Sequence, residues 1–243
     1  MNIYKYYSIL VLLLMALSIN AANDKTTIYN AFITGNMAEW KTTIIDIESR
    51  KLTSAANKLE LVNYYYGYIG YSLGVKNKKE AAKYVDKMET ILDELTKSNP
   101  KLADVYAYKA ALVGFKIGLS PYKAPFIGKS SGENAKKALT IDPNNIQGNI
   151  EQANVLYYSP AAFGGDKTKA KEYYKKAVSL FEDNPASLPQ NWLYLSLLTK
   201  IAQIQEDEKD FKGAKQTYDK ILSIEPNYTF VKNELLPDLK KKM

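Results

Sequence analysis

Serine, lysine, tyrosine and carboxylate side chains carry all the catalytic chemistry open to this sequence, because it contains no histidine and no cysteine. The usual general base, the usual thiol nucleophile and the commonest transition-metal ligands are therefore missing. Ser120 and Lys123 have the S-x-x-K spacing that serine acyl-transfer enzymes use, but the companion Ser-Asp-Asn and Lys-Thr-Gly motifs are absent. We expect no catalytic residues and no enzymatic activity.

Clustered carboxylates are the other candidate chemistry. Asp86, Glu89, Asp93 and Glu94 share one predicted helix, and residues 206–208 form an acidic run. Such groups could bind Ca²⁺ or hydrolyse glycosides. Lysines surround both clusters, so solvated helix faces are the simpler interpretation. We expect no metal site and no cofactor.

Lysine dominates the charge of the chain. The formal net charge is +7, and Arg50 is the single arginine. Nucleic-acid sites favour the bidentate guanidinium of arginine, so we expect no nucleic-acid partner. The lysines are expected to solvate helix faces. A weak, salt-sensitive attraction to anionic lipid or acidic glycan is the alternative.

The N-terminal segment has the features of a secretory signal peptide. Lys5 supplies the positive start, residues 9–17 are an unbroken apolar run, and Ala21-Ala22 offers small residues for cleavage. A membrane anchor is the rival interpretation, but a span needs roughly 20 apolar residues. We therefore predict a signal peptide over residues 1–22 and a periplasmic or secreted mature chain over residues 23–243, with no integral membrane span. Without cysteine the chain cannot be an acylated lipoprotein.

A repeat organises the mature chain. Pro100, Pro143, Pro185 and Pro226 each follow Asn, Asp or Glu, at intervals of 43, 42 and 41 residues. Self-similarity at such a period indicates a stack of helix pairs. We predict five pairs, at 26–34 with 37–50, 53–74 with 78–97, 102–119 with 132–141, 145–158 with 167–181, and 190–205 with 211–224. A loop over 120–131 and a capping helix over 228–241 complete the prediction.

The second helix of each pair resembles the tetratricopeptide repeat. Asp210, Ala214, Tyr218, Ile221 and Pro226 have its order of turn, small, aromatic and core residues. Asp166, Ala170, Tyr174 and Ala177 repeat that order, and Ala135, Ala138 and Pro143 match in part. The resemblance implies an all-α, right-handed α-solenoid of about five TPR-like helix-turn-helix pairs plus a C-terminal capping helix. HEAT-like pairs are the alternative fold.

The sequence departs from that pattern in two ways. Standard repeats are about 34 residues long, whereas both middle pairs carry an insertion that begins Ser-Pro, at Ser120 and at Ser159. Trp40 occupies a position where a small residue is usual, so the first pair is divergent.

The first helices of such a stack line its concave face. We take one small residue in each of these helices as the repeat's small position: Gly70, Gly114, Ala153 and Ala202. This choice predicts a groove for a partner or ligand. Its predicted lining is Tyr64, Tyr71, Tyr108, Phe115, Asn154, Tyr157 and Gln203. Packing of these rings in the core is the alternative. Phe126 and Phe163 in the two insertions could form a lip over the groove, or could pack beneath their own loops.

These features favour an exported, non-enzymatic scaffold that binds a protein or peptide partner in the cell envelope. The alternative is a carrier of a small amphipathic ligand. The stretch Pro160-Ala-Ala-Phe-Gly-Gly-Asp before a helix resembles the periplasmic tetratricopeptide component of some tripartite solute transporters.

Overall fold

The computed structural model describes residues 22–243, so the predicted signal peptide lies almost wholly outside the described residues. Within that range the chain is all-α, without a strand, and none of its helices is both long and apolar enough to cross a membrane. The first helix, α1, covers residues 22–34. The others are α2 (Met37–Ser49), α3 (Ala55–Gly74), α4 (Lys78–Ser98), α5 (Ala103–Leu119), α6 (Ala124–Ile141), α7 (Ile146–Tyr158), α8 (Lys167–Glu182), α9 (Trp192–Asp207), α10 (Phe211–Ile224) and α11 (Leu236–Lys242), with a π-helical segment, Val231–Leu235, leading into α11.

All four repeating prolines lie between the second helix of one pair and the next helix, and Pro100, Pro143 and Pro226 occupy equivalent two-residue turns. Pro185 differs, because it begins a 3₁₀ turn in the longer linker between α8 and α9. The backbone carbonyl oxygen of Pro100 accepts a hydrogen bond from the Tyr106 hydroxyl, six residues later. The carbonyl oxygens of Pro143 and Pro226 accept from Asn149 and Lys232 with the same separation. The predicted repeat is therefore confirmed in local geometry as well as in helix order.

The predicted helix starts are confirmed by their caps. Side-chain oxygens of Asn36, Asn77, Asp166 and Asp210 each accept a hydrogen bond from a backbone N–H three residues later. These caps satisfy donors that the first turn of a helix leaves unpaired. Lys76 and Lys209, just before two of the caps, adopt a left-handed φ of 60° and 63° that reverses the chain.

The apolar stripes of the second helices form the core as predicted. Ala170, Tyr174 and Ala177 on α8 are all buried, and so are Ala214 and Tyr218 on α10. The alanines leave space for a neighbouring helix, and the tyrosine rings fill the volume between layers. The Tyr218 hydroxyl remains satisfied because it donates to Glu206 at 2.7 Å.

The predicted loop over residues 120–131 is wrong. A short 3₁₀ turn, Pro121–Lys123, leads directly into α6, which begins at Ala124. Pro125 falls in the first turn of α6, where a missing N–H breaks no helical bond. The small residues that suggested a loop serve helix packing instead, since the Ser131 hydroxyl donates to the carbonyl oxygen of Ala110 on α5.

The two ends of the helix stack contact each other. The Tyr29 hydroxyl on α1 donates to Glu225 at 2.9 Å, and the Thr229 hydroxyl donates to the carbonyl oxygen of Ile33. The Phe32 ring lies 4.9 Å from that of Tyr228. The first pair therefore packs against the last, and the stack closes on itself.

Two tryptophans and a glycine form the centre of this closure. The Trp40 and Trp192 rings meet edge to face, with centroids 5.0 Å apart. A Cβ atom at Gly67 on α3 would lie 2.6 Å from Trp40 and 2.8 Å from Trp192. Trp40, which breaks the repeat pattern, thus joins the first pair to α3 and α9.

Replacing Gly67 by alanine tests this packing. The added methyl group would overlap both indole rings, and overpacking of a core typically lowers the free energy of unfolding by about 1–3 kcal/mol. Alanine's better helix propensity offsets part of that loss. We expect Gly67→Ala to lower the unfolding free energy measured in urea by at least about 1 kcal/mol.

Gly70→Ala is the matched control. Gly70 lies on the same helix and is exposed, and a Cβ atom added there would have no neighbouring atom within 4 Å. This substitution should raise the unfolding free energy by up to about 1 kcal/mol. Equal effects of the two substitutions would contradict the close approach at Gly67.

Candidate functional site

The first helices of four pairs turn one side toward the middle of the closed stack, and we call this surface the inner face. α3 contributes Tyr66, whose ring centroid lies 6.0 Å from Tyr108 and 5.3 Å from Phe115, both on α5. The same ring lies 6.5 Å from that of Trp192 on α9. Three helices therefore converge on Tyr66.

Polar side chains tie these rings together. Asn63 on α3 donates through Nδ2 to the Tyr108 hydroxyl at 2.9 Å, and its Oδ1 accepts from the Trp192 Nε1 at 2.9 Å. On the other side, Asn154 on α7 accepts from the Tyr174 hydroxyl at 2.6 Å. A continuous polar and aromatic layer therefore runs across the inner face from α9 to α8.

Glu151 on α7 lies in this layer and is 3% exposed. Its two carboxylate oxygens accept hydrogen bonds from Gln147 at 2.7 Å and from Asn154 at 3.1 Å, and the Tyr66 hydroxyl lies beside it. Within residues 22–243, no lysine or arginine pairs with it. The other buried carboxylate of this range, Asp24, is paired with Arg50.

Burial raises the pKa of Glu151 to about 7, although the hydrogen bonds from Asn154, Tyr66 and Gln147 act in the opposite direction. The Tyr66 pKa is also raised well above its usual value, chiefly by burial and then by the nearby carboxylate. Near neutral pH, Glu151 therefore changes between a neutral acid and an unpaired buried anion.

Gln147 leaves a hydrogen-bond acceptor unused in the same place. Its Nε2 donates to Glu151, but its Oε1 is buried and has no hydrogen-bond partner within the described range. A buried polar atom without a partner is uncommon in folded proteins and calls for an explanation. Gln147 Oε1 and the Glu151 carboxylate together form an acceptor-rich centre. We call these two residues and the four polar side chains around them the central cluster; the four are Asn63, Tyr66, Tyr108 and Asn154.

The structure brings some of the predicted groove residues together. Tyr108 and Asn154 belong to the central cluster, and Phe115 packs against Tyr66 beside it. Tyr157 lies farther along α7, half-buried, with its hydroxyl donating to Asp207 at 3.2 Å. Gln203 is half-buried on α9, and its side chain makes no hydrogen bond to the cluster in the part of the chain that the structure describes.

Tyr64 and Tyr71 do not belong to the central cluster. The Tyr64 ring is 3% exposed and packs edge to face against Trp40, and its hydroxyl donates to Glu60. Tyr71 is 43% exposed and packs beside Tyr68. Gly70, the small residue predicted for α3, is exposed, whereas its neighbour Ile69 is buried. A shift of one residue rotates a helical position by about 100°, which turns Asn63 and Tyr66 inward.

The predicted lip residues project into solvent. Phe126 is 83% exposed and Phe163 is 78% exposed, so the interpretation that each ring packs beneath its own loop is wrong. Phe126 lies in the first turn of α6 and Phe163 in a 3₁₀ turn, Ala161–Phe163. Neither ring stacks on another aromatic ring in the described part of the chain.

A separate open cleft of about 360 Å³ lies between α6, α7 and α8. Its single charged lining residue, Lys136, is exposed. Nothing in this cleft matches the buried acceptors of the central cluster. Its lining is Gly132, Lys136, Leu139, Thr140, Gln152 and Tyr173.

The raised pKa of Glu151 predicts a pH-dependent stability. Its folded-state pKa of about 7 exceeds its ordinary value of 4.5, so the folded protein holds this proton more tightly than the unfolded chain does. The resulting stabilisation is complete below about pH 4.5 and disappears as the pH rises through 7. Glu151→Gln does not titrate, so its unfolding free energy relative to wild type should rise by about 2–3 kcal/mol between pH 5 and pH 8.

Urea unfolding at several pH values would measure this difference. Glu172→Gln on α8 is the matched control, because Glu172 is exposed and its removal should leave the pH profile unchanged. Parallel profiles for wild type and Glu151→Gln would contradict the placement of this carboxyl in the interior.

Comparison with known proteins agrees with the repeat geometry. The sequence profile of the tetratricopeptide repeat matches residues 163–184 and 195–228. No curated protein matches the sequence. Among solved structures, the HusA haemophore from Porphyromonas gingivalis is similar, with a TM-score of 0.51 and 20% identity over 70% of this chain and 90% of that chain.

At this level of identity the likeness to HusA concerns the fold. The matched segments cover α8, most of α9 and α10, where the spacing of Ala170, Tyr174, Ala214 and Tyr218 is seen in the core. Helix pairs, caps and inter-pair prolines recur through the other described pairs. The chain is a tetratricopeptide-like helical-repeat protein, a scaffold of the kind that binds proteins or other ligands.

Proposed function

We propose that this chain is an exported, non-catalytic binding protein of the cell envelope. Its inner face would bind a protein or peptide partner through a cationic nitrogen, such as a lysine side chain or a free N-terminus. The apolar N-terminal segment and the absence of histidine and cysteine support export and a non-catalytic role.

The observation that carries the proposal is, among the described residues, a buried carboxylate without a counter-ion beside a buried acceptor atom without a donor. Within the described range, Glu151 is buried without a cation, and Gln147 Oε1 is buried without a donor. Both would be satisfied by one group that brings several N–H donors and a positive charge. An ammonium group has three such donors and fits this requirement.

The aromatic rings near Glu151 also favour an ammonium group. Tyr66 lies beside the carboxylate, and Phe115 and Trp192 pack near the Tyr66 ring. Aromatic faces attract cations within about 6 Å. Asn63, Tyr66, Phe115 and Asn154 are half-buried, so solvent reaches the inner face at these side chains. A ligand entering past them would meet Glu151 beneath.

Binding should therefore depend on the ionisation of Glu151. A cation stabilises the carboxylate and lowers its pKa, so binding near pH 6.5 should release a proton. The affinity should rise with pH and level off above about pH 7, because the ionised fraction of Glu151 then approaches one.

Titration with a tri-lysine peptide tests the proposal. The chain has two tryptophans, Trp40 and Trp192, and both border the inner face, so their fluorescence reports on occupancy. We expect saturable binding that is about tenfold tighter at pH 8 than at pH 5.5. Glu151→Gln should weaken binding at pH 8 and remove the pH dependence.

Two controls sharpen this experiment. Glu172→Gln removes an exposed carboxylate from α8 and should bind like wild type. A tri-lysine peptide acetylated on every amine keeps the length and lacks the charge, and should not bind. Equal binding of the two peptides, or wild-type binding by Glu151→Gln, would refute the proposed role of this carboxylate.

A porphyrin is the second candidate ligand, favoured by the fold shared with a protein named as a haemophore. Tyr66 and Phe115 offer ring surface for a planar ligand, and Lys200 and Lys167 lie near the Tyr157 ring farther along the face. The chain lacks histidine and cysteine, the commonest iron ligands beside tyrosine and methionine, so we expect binding to rest mainly on ring packing and on lysine contacts to the porphyrin carboxylates.

The two ligands are told apart by opposite effects of one substitution. Porphyrin carboxylates would be repelled by an ionised Glu151, so Glu151→Gln should tighten porphyrin binding and weaken peptide binding at pH 8. Absorbance titrations with haemin and with metal-free protoporphyrin IX measure the first effect. We expect similar affinities for both porphyrins, because the raised pKa of Tyr66 disfavours the tyrosinate that would bind iron. Binding of haemin alone would instead indicate an iron ligand such as a tyrosine.

A further inference from the structure

One edge of the helix stack exposes large apolar side chains in an ordered series. This is the edge where the first helix of a pair ends and the second begins. We call the series over the second, third and fourth pairs the aromatic edge. Its members are Tyr71, Val75, Tyr122, Phe126, Tyr158 and Phe163.

The backbone of the two Ser-Pro insertions holds these rings outward. In the fourth pair the carbonyl oxygen of Pro160 accepts hydrogen bonds from the N–H groups of Phe163 and Gly165, and Gly164 turns the chain with a φ of 85°. In the third pair Lys123 N–H donates to the carbonyl oxygen of Ser120. The exposure of these rings is therefore a property of ordered turns.

The three turns lie side by side along the stack. Lys78, just after the α3–α4 turn, donates to the carbonyl oxygen of Leu119 at the end of α5. A Cβ atom at Gly118 would lie 3.3 Å from Leu73, and one at Gly132 would lie 3.6 Å from Val155 on α7. The exposed rings of neighbouring pairs thus form one surface.

Lysines accompany the rings at each turn. Lys76 and Lys79 border the first turn, Lys123 and Lys129 the second, and Lys167 the third. The acidic groups at these turns are engaged by other side chains or by backbone. Glu80 pairs with Lys41, Glu133 pairs with Lys129, and Asp166 caps α8 and pairs with Lys169. The corresponding turn of the fifth pair is acidic, with residues 206–208 and Asp210, so the positive apolar surface ends at α8.

From this arrangement we propose that the aromatic edge docks on an anionic lipid surface. Phe126 and Phe163, the two most exposed rings of the edge, enter the boundary between headgroups and acyl chains, where aromatic side chains are stable. The lysines keep their ammonium groups at the level of the lipid phosphates while their stems lie along the apolar layer. This inference is independent of the ligand proposed for the inner face.

Vesicle co-sedimentation tests the proposal on a chain that begins at Asn23, the form that the predicted cleavage leaves. We expect binding to phosphatidylcholine vesicles that contain about 30% phosphatidylglycerol, and weak binding to phosphatidylcholine alone. Raising NaCl to about 0.5 M should release the protein, because the Debye length then falls to roughly 4 Å.

Variants separate the contribution of the apolar rings from that of the lysine charges. Phe126→Ala with Phe163→Ala should weaken binding about tenfold or more at every lipid composition. Lys123→Gln with Lys129→Gln should weaken binding to the anionic vesicles alone. Ile224→Ala is the matched control, since Ile224 is also exposed but lies at the opposite edge, and should bind like wild type.

Three results would overturn the proposal. The wild-type chain could fail to sediment with anionic vesicles, or the double phenylalanine variant could bind as well as wild type. Analytical ultracentrifugation could instead show a wild-type dimer that the phenylalanine substitutions dissociate, which would identify the edge as an interface between copies of this chain.

Discussion

The close approach of α3 to Trp40 and Trp192 is the contact on which the shape of the molecule depends. Gly67 leaves no room for a Cβ atom between these two rings. Because α3 can come so near, the first pair reaches the last, and Tyr29 and Thr229 fix the ends with hydrogen bonds. The inner face becomes narrow enough for Tyr66 on α3 to reach Glu151 on α7.

The narrow inner face determines how the charge of Glu151 is solvated. On the outer surface lysines pair with carboxylates, as Lys109 does with Asp93, and such exposed pairs contribute little stability. Inside, Glu151 is removed from solvent and receives amide and hydroxyl hydrogen bonds without a compensating charge from the described residues. Ionising this carboxyl by itself is unfavourable, whereas a bound cation would offset much of that free energy. Glu151, a buried carboxyl without a counter-ion among the described residues, therefore lies where a ligand would be enclosed.

Local patterns predict the scaffold well. Helix pairs, caps at Asn36 and Asp210, and buried Tyr174 and Tyr218 follow from periodicity and capping, which act over a few residues. The start of α6 does not follow in this way, because Pro125 and the nearby glycines are typical of loops, whereas packing against α5 and α7 selects a helix. Tertiary contacts override local propensity there.

The site is harder to predict because its contacts are long-range. On α3 the sequence suggests Gly70 as the small residue, whereas the enclosed glycine is Gly67, which Trp40 and Trp192 approach from distant parts of the chain. Glu151 lies in a helix that also contains Gln147, Gln152 and Asn154, so nothing in its own segment indicates burial. Its burial follows from closure of the stack, which the repeat period alone does not predict.

The inner face and the aromatic edge arise from different parts of the architecture. The turn at Pro160 is stabilised by its own backbone bonds, and Gly165 lies so close to the Ser159 carbonyl that a Cβ atom would be 1.9 Å from it. The direction of Phe163 is thus fixed within a few residues. The burial of Glu151, about two turns before the end of α7, depends instead on helices that are distant in sequence. Since the insertions follow the end of the first helix, they can present rings outward without disturbing the layer of side chains inside.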